Sequence, residues 1–163
     1  MLIIAIIILN LILQSTVIHY FSIMGVVPNT SLVLLVLISL AKGKVYGGIF
    51  GLIIGILQDI LFSVTLGISS LVYFIIGYFI GFVEDTFARD NIINPIIFTA
   101  SSTIFYNIVY SVFLYFLSTK ITFDEAISAA FSIEIIYNCL IAILAYKTIQ
   151  KVVVEPKIRF NKR

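Results

Sequence analysis

Tryptophan is absent from this chain, and cysteine, histidine and proline occur once, once and three times in 163 residues. The single Cys139 excludes an intramolecular disulfide and any cysteine-based zinc site. A lone His19 without a second nearby ligand makes a weak metal site. No P-loop, no Gly-x-Ser-x-Gly elbow and no His-Glu-x-x-His helix occurs. A Ser-His-Asp set cannot be assembled either, so nothing asks for catalysis, a cofactor, a metal or a nucleic-acid partner. Charge is scarce as well: 11% of residues are charged, against about 25% in soluble domains. That scarcity removes the soluble classes.

What is abundant is apolar. Hydrophobic residues make up 61% of the chain and the mean hydropathy is +1.19. Several runs approach or exceed the roughly 17–25 residues that cross a bilayer. The N-terminal run lacks a basic n-region, is too long for an ordinary signal-peptide core and is followed by no small-x-small site. It reads as a retained first span. The expected architecture is all-α, six transmembrane helices in one compact bundle. The spans are residues 2–21, 28–41, 45–62, 68–83, 95–117 and 126–149, forming one domain over 1–150, with a short basic tail over 151–163. Pro28 and Pro95 suit helix starts. In the last loop Thr122 suits a cap, with Asp124 and Glu125 in the first turn. Tyr20, Phe21, Phe116 and Tyr146 at span ends suit interfacial belts.

Six spans put both termini and the span 2–3 and 4–5 connectors on one side. That side carries Lys42, Lys44, Arg89, Lys147, Lys151, Lys157, Arg159, Lys162 and Arg163, leaving only Lys120 on the other. The positive-inside bias makes both termini cytoplasmic.

Four features carry the internal chemistry. Gly47, Gly51, Gly55 and then Asp59 recur every fourth residue, so they share one arc of a helix whose other side is Ile, Leu, Phe and Val. Small residues at this spacing let helices approach closely in lipid. Either the chain's own bundle or a partner's helix fills that face, with Gly77 and Gly81 offering a second small pair. Asp59, near the outer end of span 3, is a functional or paired acid if it lies at membrane depth, and interfacial if the helix ends earlier. Glu134, about two turns into span 6, shares a face with Tyr137, Asn138 and Ile141. Ser101, Ser102, Asn107 and Ser111 of span 5 are candidate partners. A hydrogen-bonded polar patch is the plainer reading of that set, a ligand or proton site the sharper one.

Pro28-Asn29, the Gly47, Gly51, Gly55, Leu57 and Asp59 series, Leu66-Gly67 and Gly77 together resemble the MreD family of the bacterial rod-shape system. The series followed by a Leu-Gly turn looks like the family's signature region, and length, span count and basic C-terminus agree. The resemblance implies a non-enzymatic elongasome scaffold in the bacterial cytoplasmic membrane. It implies binding to the single-span MreC and action with the MreB filament, the RodA glycosyltransferase and its class B penicillin-binding protein. Membrane lipid and a second copy are further expected partners. The family is similar in fold to the S subunits of ECF vitamin transporters, so a vitamin-binding subunit is the alternative. A small proton-coupled carrier using Asp59 and Glu134 is a third.

Overall fold

The computed structural model describes residues 2–16, 26–63, 65–83, 92–117 and 133–153. Six α-helices occupy them: α1 Leu2–Thr16, α2 Thr30–Lys42, α3 Lys44–Phe62, α4 Ile68–Phe82, α5 Ile93–Phe116 and α6 Glu134–Val153. The expectations for His19, Tyr20, Phe21, Arg89, Lys120, Thr122, Asp124, Glu125 and the tail beyond Val153 lie outside the described residues.

Local chemistry explains most of the boundaries. Pro28 does not open α2 but precedes its cap: Asn29 Oδ1 accepts the Leu32 N–H at 3.1 Å. Gly43 alone turns the chain between α2 and α3, at φ 85°, a left-handed value that glycine adopts without strain. Its N–H donates to the Ser39 carbonyl and its carbonyl accepts from Gly47 N–H, so it closes one helix and opens the next. α5 starts at Ile93, two residues earlier than expected. Pro95 is tolerated inside it because first-turn N–H groups have no intrahelical acceptor.

Length departs from the expectation of six spans. Only α3, with 19 residues, and α5, with 24, are long and apolar enough to cross a membrane by themselves among the described residues. At 1.5 Å per residue they reach about 28 and 36 Å, whereas the 13-residue α2 reaches about 20 Å. The cause is local for α2 and α4. Each is confined between capping residues, Asn29 and Gly43 for one, Gly67 and Val83 for the other.

The bundle is built around α2. It touches all five other helices, and Leu32, Val33, Leu35, Val36, Leu37 and Ile38 are all buried. A helix apolar on every side belongs in the centre. α3 and α4 form the closest antiparallel pair around it, and α5 and α6 form a second. α1 stands at the edge and packs chiefly on α2. The outward faces are apolar too, from Val45, Ile49, Leu52 and Ile56 on α3 to Phe79 and Phe82 on α4 and Leu144 on α6. Such faces suit a hydrocarbon surround.

Candidate functional site

The glycine series faces α4. A Cβ built on Gly47 would strike the Gly77 carbonyl oxygen, with Ser39 Oγ 2.6 Å away. On Gly51 it would strike the Tyr73 carbonyl, with Leu35 Cδ1 at 3.1 Å, and on Gly55 it would strike Ser70, whose N lies at 2.8 Å. Gly77 answers Gly47, and Gly81 rests on the Gly43–Lys44 backbone. These are backbone-on-backbone contacts that any side chain would force apart. Of the two occupants the spacing allows, the chain's own α4 fills this face. Another protein's helix would have to displace α4, which is held in register over more than three turns.

Asp59 ends this seam. Its side chain is 2% exposed and accepts three backbone N–H groups: Ser69 on Oδ1 at 3.1 Å, Gly67 and Ser70 on Oδ2 at 2.9 and 3.0 Å. These are the otherwise unpartnered amides at the start of α4. Gly67, at φ 100°, has no side chain to cap them, so a carboxylate from the preceding helix does so. A negative charge at a helix N-terminus is favoured by the helix dipole. Asp59 is thus buried in the protein and fully engaged in joining α3 to α4.

A second polar centre joins α2, α4, α5 and α6. The backbone N–H of Asn29 donates to Asn138 Oδ1 at 2.9 Å, and Tyr73 Oη donates to Asn29 Oδ1 at 2.8 Å. Asn138, with no exposure, donates through Nδ2 to Thr103 Oγ1 at 3.0 Å and to Glu134 Oε1 at 3.4 Å. Asn107 Nδ2 donates to Glu134 Oε2 at 3.0 Å. Beside these, Ser69 and Tyr106 share a hydrogen bond of 3.1 Å, and the Tyr73 and Tyr106 rings lie 5.3 Å apart.

This centre combines Asn107, Glu134 and Asn138 as the sequence suggested, but at a different depth, and adds Asn29, which the sequence marked only as a family-like turn position. Glu134 is the first residue of α6 rather than two turns inside it, which puts the carboxylate where the helix dipole favours it. Ser101 is turned away and bonds its own helix carbonyls at Ile97 and Phe98. Thr103, Tyr73 and Tyr106 were missed. Thr103 lies four residues before Asn107, a spacing that points to the same face.

A third polar set, also missed, ties α1 to α2. Asn10 Nδ2 donates to Ser31 Oγ at 2.9 Å, and Ser31 Oγ donates to Gln14 Oε1 at 2.7 Å. Thr30 Oγ1 reaches the same Gln14 oxygen at 3.4 Å. All four side chains are buried. Asn10 and Gln14 stand four apart in an otherwise apolar run, and that spacing was the available signal.

In each set the polar groups are consumed by interhelical or capping bonds. Among the described residues no group of three His, Cys, Asp or Glu side chains converges as a metal site would require. No curated protein and no solved structure matches the chain. The likeness to ECF transporter S subunits therefore has no solved counterpart here. A family model described as rod shape-determining protein MreD matches residues 1–153, which include the glycine seam, the Asp59 cap and all three polar sets. With 153 of 163 residues matched and two helices apolar and long enough to cross a bilayer, the chain is a membrane protein that belongs to the MreD family of rod shape-determining proteins.

Proposed function

We propose that the chain is a non-enzymatic, multi-pass scaffold of the elongasome in the bacterial cytoplasmic membrane, with both termini cytoplasmic. The family match over residues 1–153 carries this reading. In it, residues 1–150 form one six-span domain and 151–163 a basic cytoplasmic tail. The scaffold binds an MreC-like single-span protein. Through it lateral peptidoglycan synthesis by RodA and a class B penicillin-binding protein is coupled to the MreB filament.

The geometry supports a scaffold in two ways. The α3–α4 seam and the polar bonds between α2, α4, α5 and α6 make a bundle with little freedom to rearrange. The apolar outer faces of α3, α4 and α5 are left for helices in the surrounding bilayer. A partner's span then meets these outer faces rather than the Gly47–Gly51–Gly55 side. Short helices such as α2 and α4 still complete a spanning bundle when longer ones surround them, because their first-turn N–H groups are taken up by Asn29 and Asp59.

Purification of the tagged protein from native membranes, with identification of what accompanies it, tests the proposal. A single-span wall-synthesis partner is expected. Recovery of an ATPase-bearing transporter complex instead would overturn the scaffold reading and favour the vitamin-binding alternative.

A further inference from the structure

The edge position of α1 leaves a lateral groove. α1 is pinned to α2 by its buried Asn10 and Gln14 and does not close onto α6. Between them runs an apolar groove of about 470 Å³, floored by Val33 and Leu34 of α2. Its walls are Ile6 and Leu13 on one side and Ala145 and Ile149 on the other. Leu9 and Leu144 form its rims and are 60% and 78% exposed, so the groove opens sideways.

Its lining fits the occupant. Along α6 the groove runs from Ile141 to Ile149, about 12 Å at 1.5 Å per residue. Apart from Asn10, Thr30 and Thr148 that lining is aliphatic, and it opens to the side, as a hydrocarbon chain entering from the bilayer requires.

Charge selects the rest of the molecule. Lys147 and Lys151 follow Leu144 by three and seven residues, so they continue its stripe along α6 beyond the rim. Both are exposed. Asp59 starts no competition there, since it caps the first turn of α4 at the opposite end of the bundle, and Glu134 is likewise at the far end of α6. Paired lysines beside an apolar slot at a membrane surface suit an anionic headgroup. We propose that this groove holds an acyl chain of an anionic phospholipid whose headgroup is bound by Lys147 and Lys151. The inference rests on the chain spanning the bilayer, and it adds a lipid site to the scaffold. The lipid would complete the wall that α1 leaves open, so that lipid composition tunes how firmly α1 is seated.

The full chain is reconstituted in nanodiscs of equal phosphatidylglycerol and phosphatidylcholine, with a photo-crosslinking residue placed at Leu34 on the groove floor. Adducts of phospholipid mass are expected, with phosphatidylglycerol favoured by about fivefold for each lysine at physiological ionic strength. Ala145→Phe, which fills the groove, abolishes the lipid adduct without lowering the melting temperature. The pair Lys147→Gln and Lys151→Gln keeps the adduct and loses the preference. Because both lysines are exposed, that pair remains decisive if Ala145→Phe fails to fold. Equal labelling of the two lipids by the unaltered lysine pair would overturn the headgroup assignment. A protein adduct at Leu34 in native membranes, from a second copy or another chain, would overturn the lipid as occupant. Correct membrane insertion in every variant separates either failure from a failure of the spanning topology.

Discussion

Gly67 and Gly51 are both glycines for physical reasons, but the reasons differ and so do the outcomes of replacing them. Around Gly67 there is open space, with nothing within 4 Å of an added Cβ, yet its φ is 100°. Gly67→Ala therefore loses only what a left-handed backbone costs a residue with a Cβ, about 1–2 kcal/mol. Gly67→Asn should lose less, since asparagine visits that region more readily. Thermal unfolding in detergent micelles checks both, and equal losses would contradict the backbone account. Asp59 poses the complementary case, in which the backbone is ordinary and the side-chain atoms matter. Asparagine at this position keeps one carbonyl oxygen, which accepts at either the Ser69 site or the Gly67 and Ser70 site, and turns an amide toward the other. Asp59→Asn leaves at least one buried N–H without an acceptor and should cost about 1–3 kcal/mol. If the variant melts with the parent and still loses rod-shape function, Asp59 has a role beyond capping α4.

At the scale of the helix pair, Gly51→Leu drives a side chain into the Tyr73 carbonyl, so α3 and α4 must separate or shift in register. Overpacking of this kind costs typically about 1–3 kcal/mol, and more where the obstacle is backbone. Destabilisation of the isolated protein, with partner loss only as a consequence, is the expected outcome. Partner loss at unchanged monomer stability would return the seam to the role of a docking face. The four-residue glycine spacing was legible because it needs only the helical period. Which helix fills the seam was not, because spacing on one helix says nothing about its neighbour. The same limit explains the polar centre. Glu134, Asn138 and Asn107 were visible as polar residues in apolar runs, but the Asn29 backbone N–H that Asn138 accepts is 109 residues away. The short helices had a local cause: capping by Asn29 and the turns at Gly43 and Gly67 stop them before hydropathy does. Asn138→Leu breaks two interhelical bonds, from the Asn29 N–H and to Thr103 Oγ1, and a third within α6 to Glu134 Oε1. Bonds of this type within membranes contribute about 0.6–2 kcal/mol each. A loss of roughly 2 kcal/mol or more in detergent is expected, against a loss near zero for Ser101→Ala, whose hydroxyl bonds only its own helix.

At the scale of the whole molecule, charge is sorted along the bundle axis. The antiparallel pairing places the Gly43 turn, with Lys42 and Lys44, at the same end as Lys147 and Lys151 near the close of α6. Asp59 and Glu134, the acids among the described residues, lie at the other end. Lysines on one side and few on the other is the distribution that fixes orientation during insertion. The lysine end should face the cytoplasm and the Leu66–Gly67 turn the exterior. Leu66 is 75% exposed and Lys42 flanks the opposite turn, so both accept a probe cysteine without touching the core. In a Cys139→Ser background, Leu66→Cys should react with a membrane-impermeant maleimide in intact cells. Lys42→Cys should react only after permeabilisation. The reverse pattern would invert the molecule, exchanging the faces offered to the filament and to the cell wall. Labelling of both sites in intact cells would mean that the Gly43 turn reaches the exterior. The α3–α4 hairpin would then fail to span, and the six-span reading would fall with it.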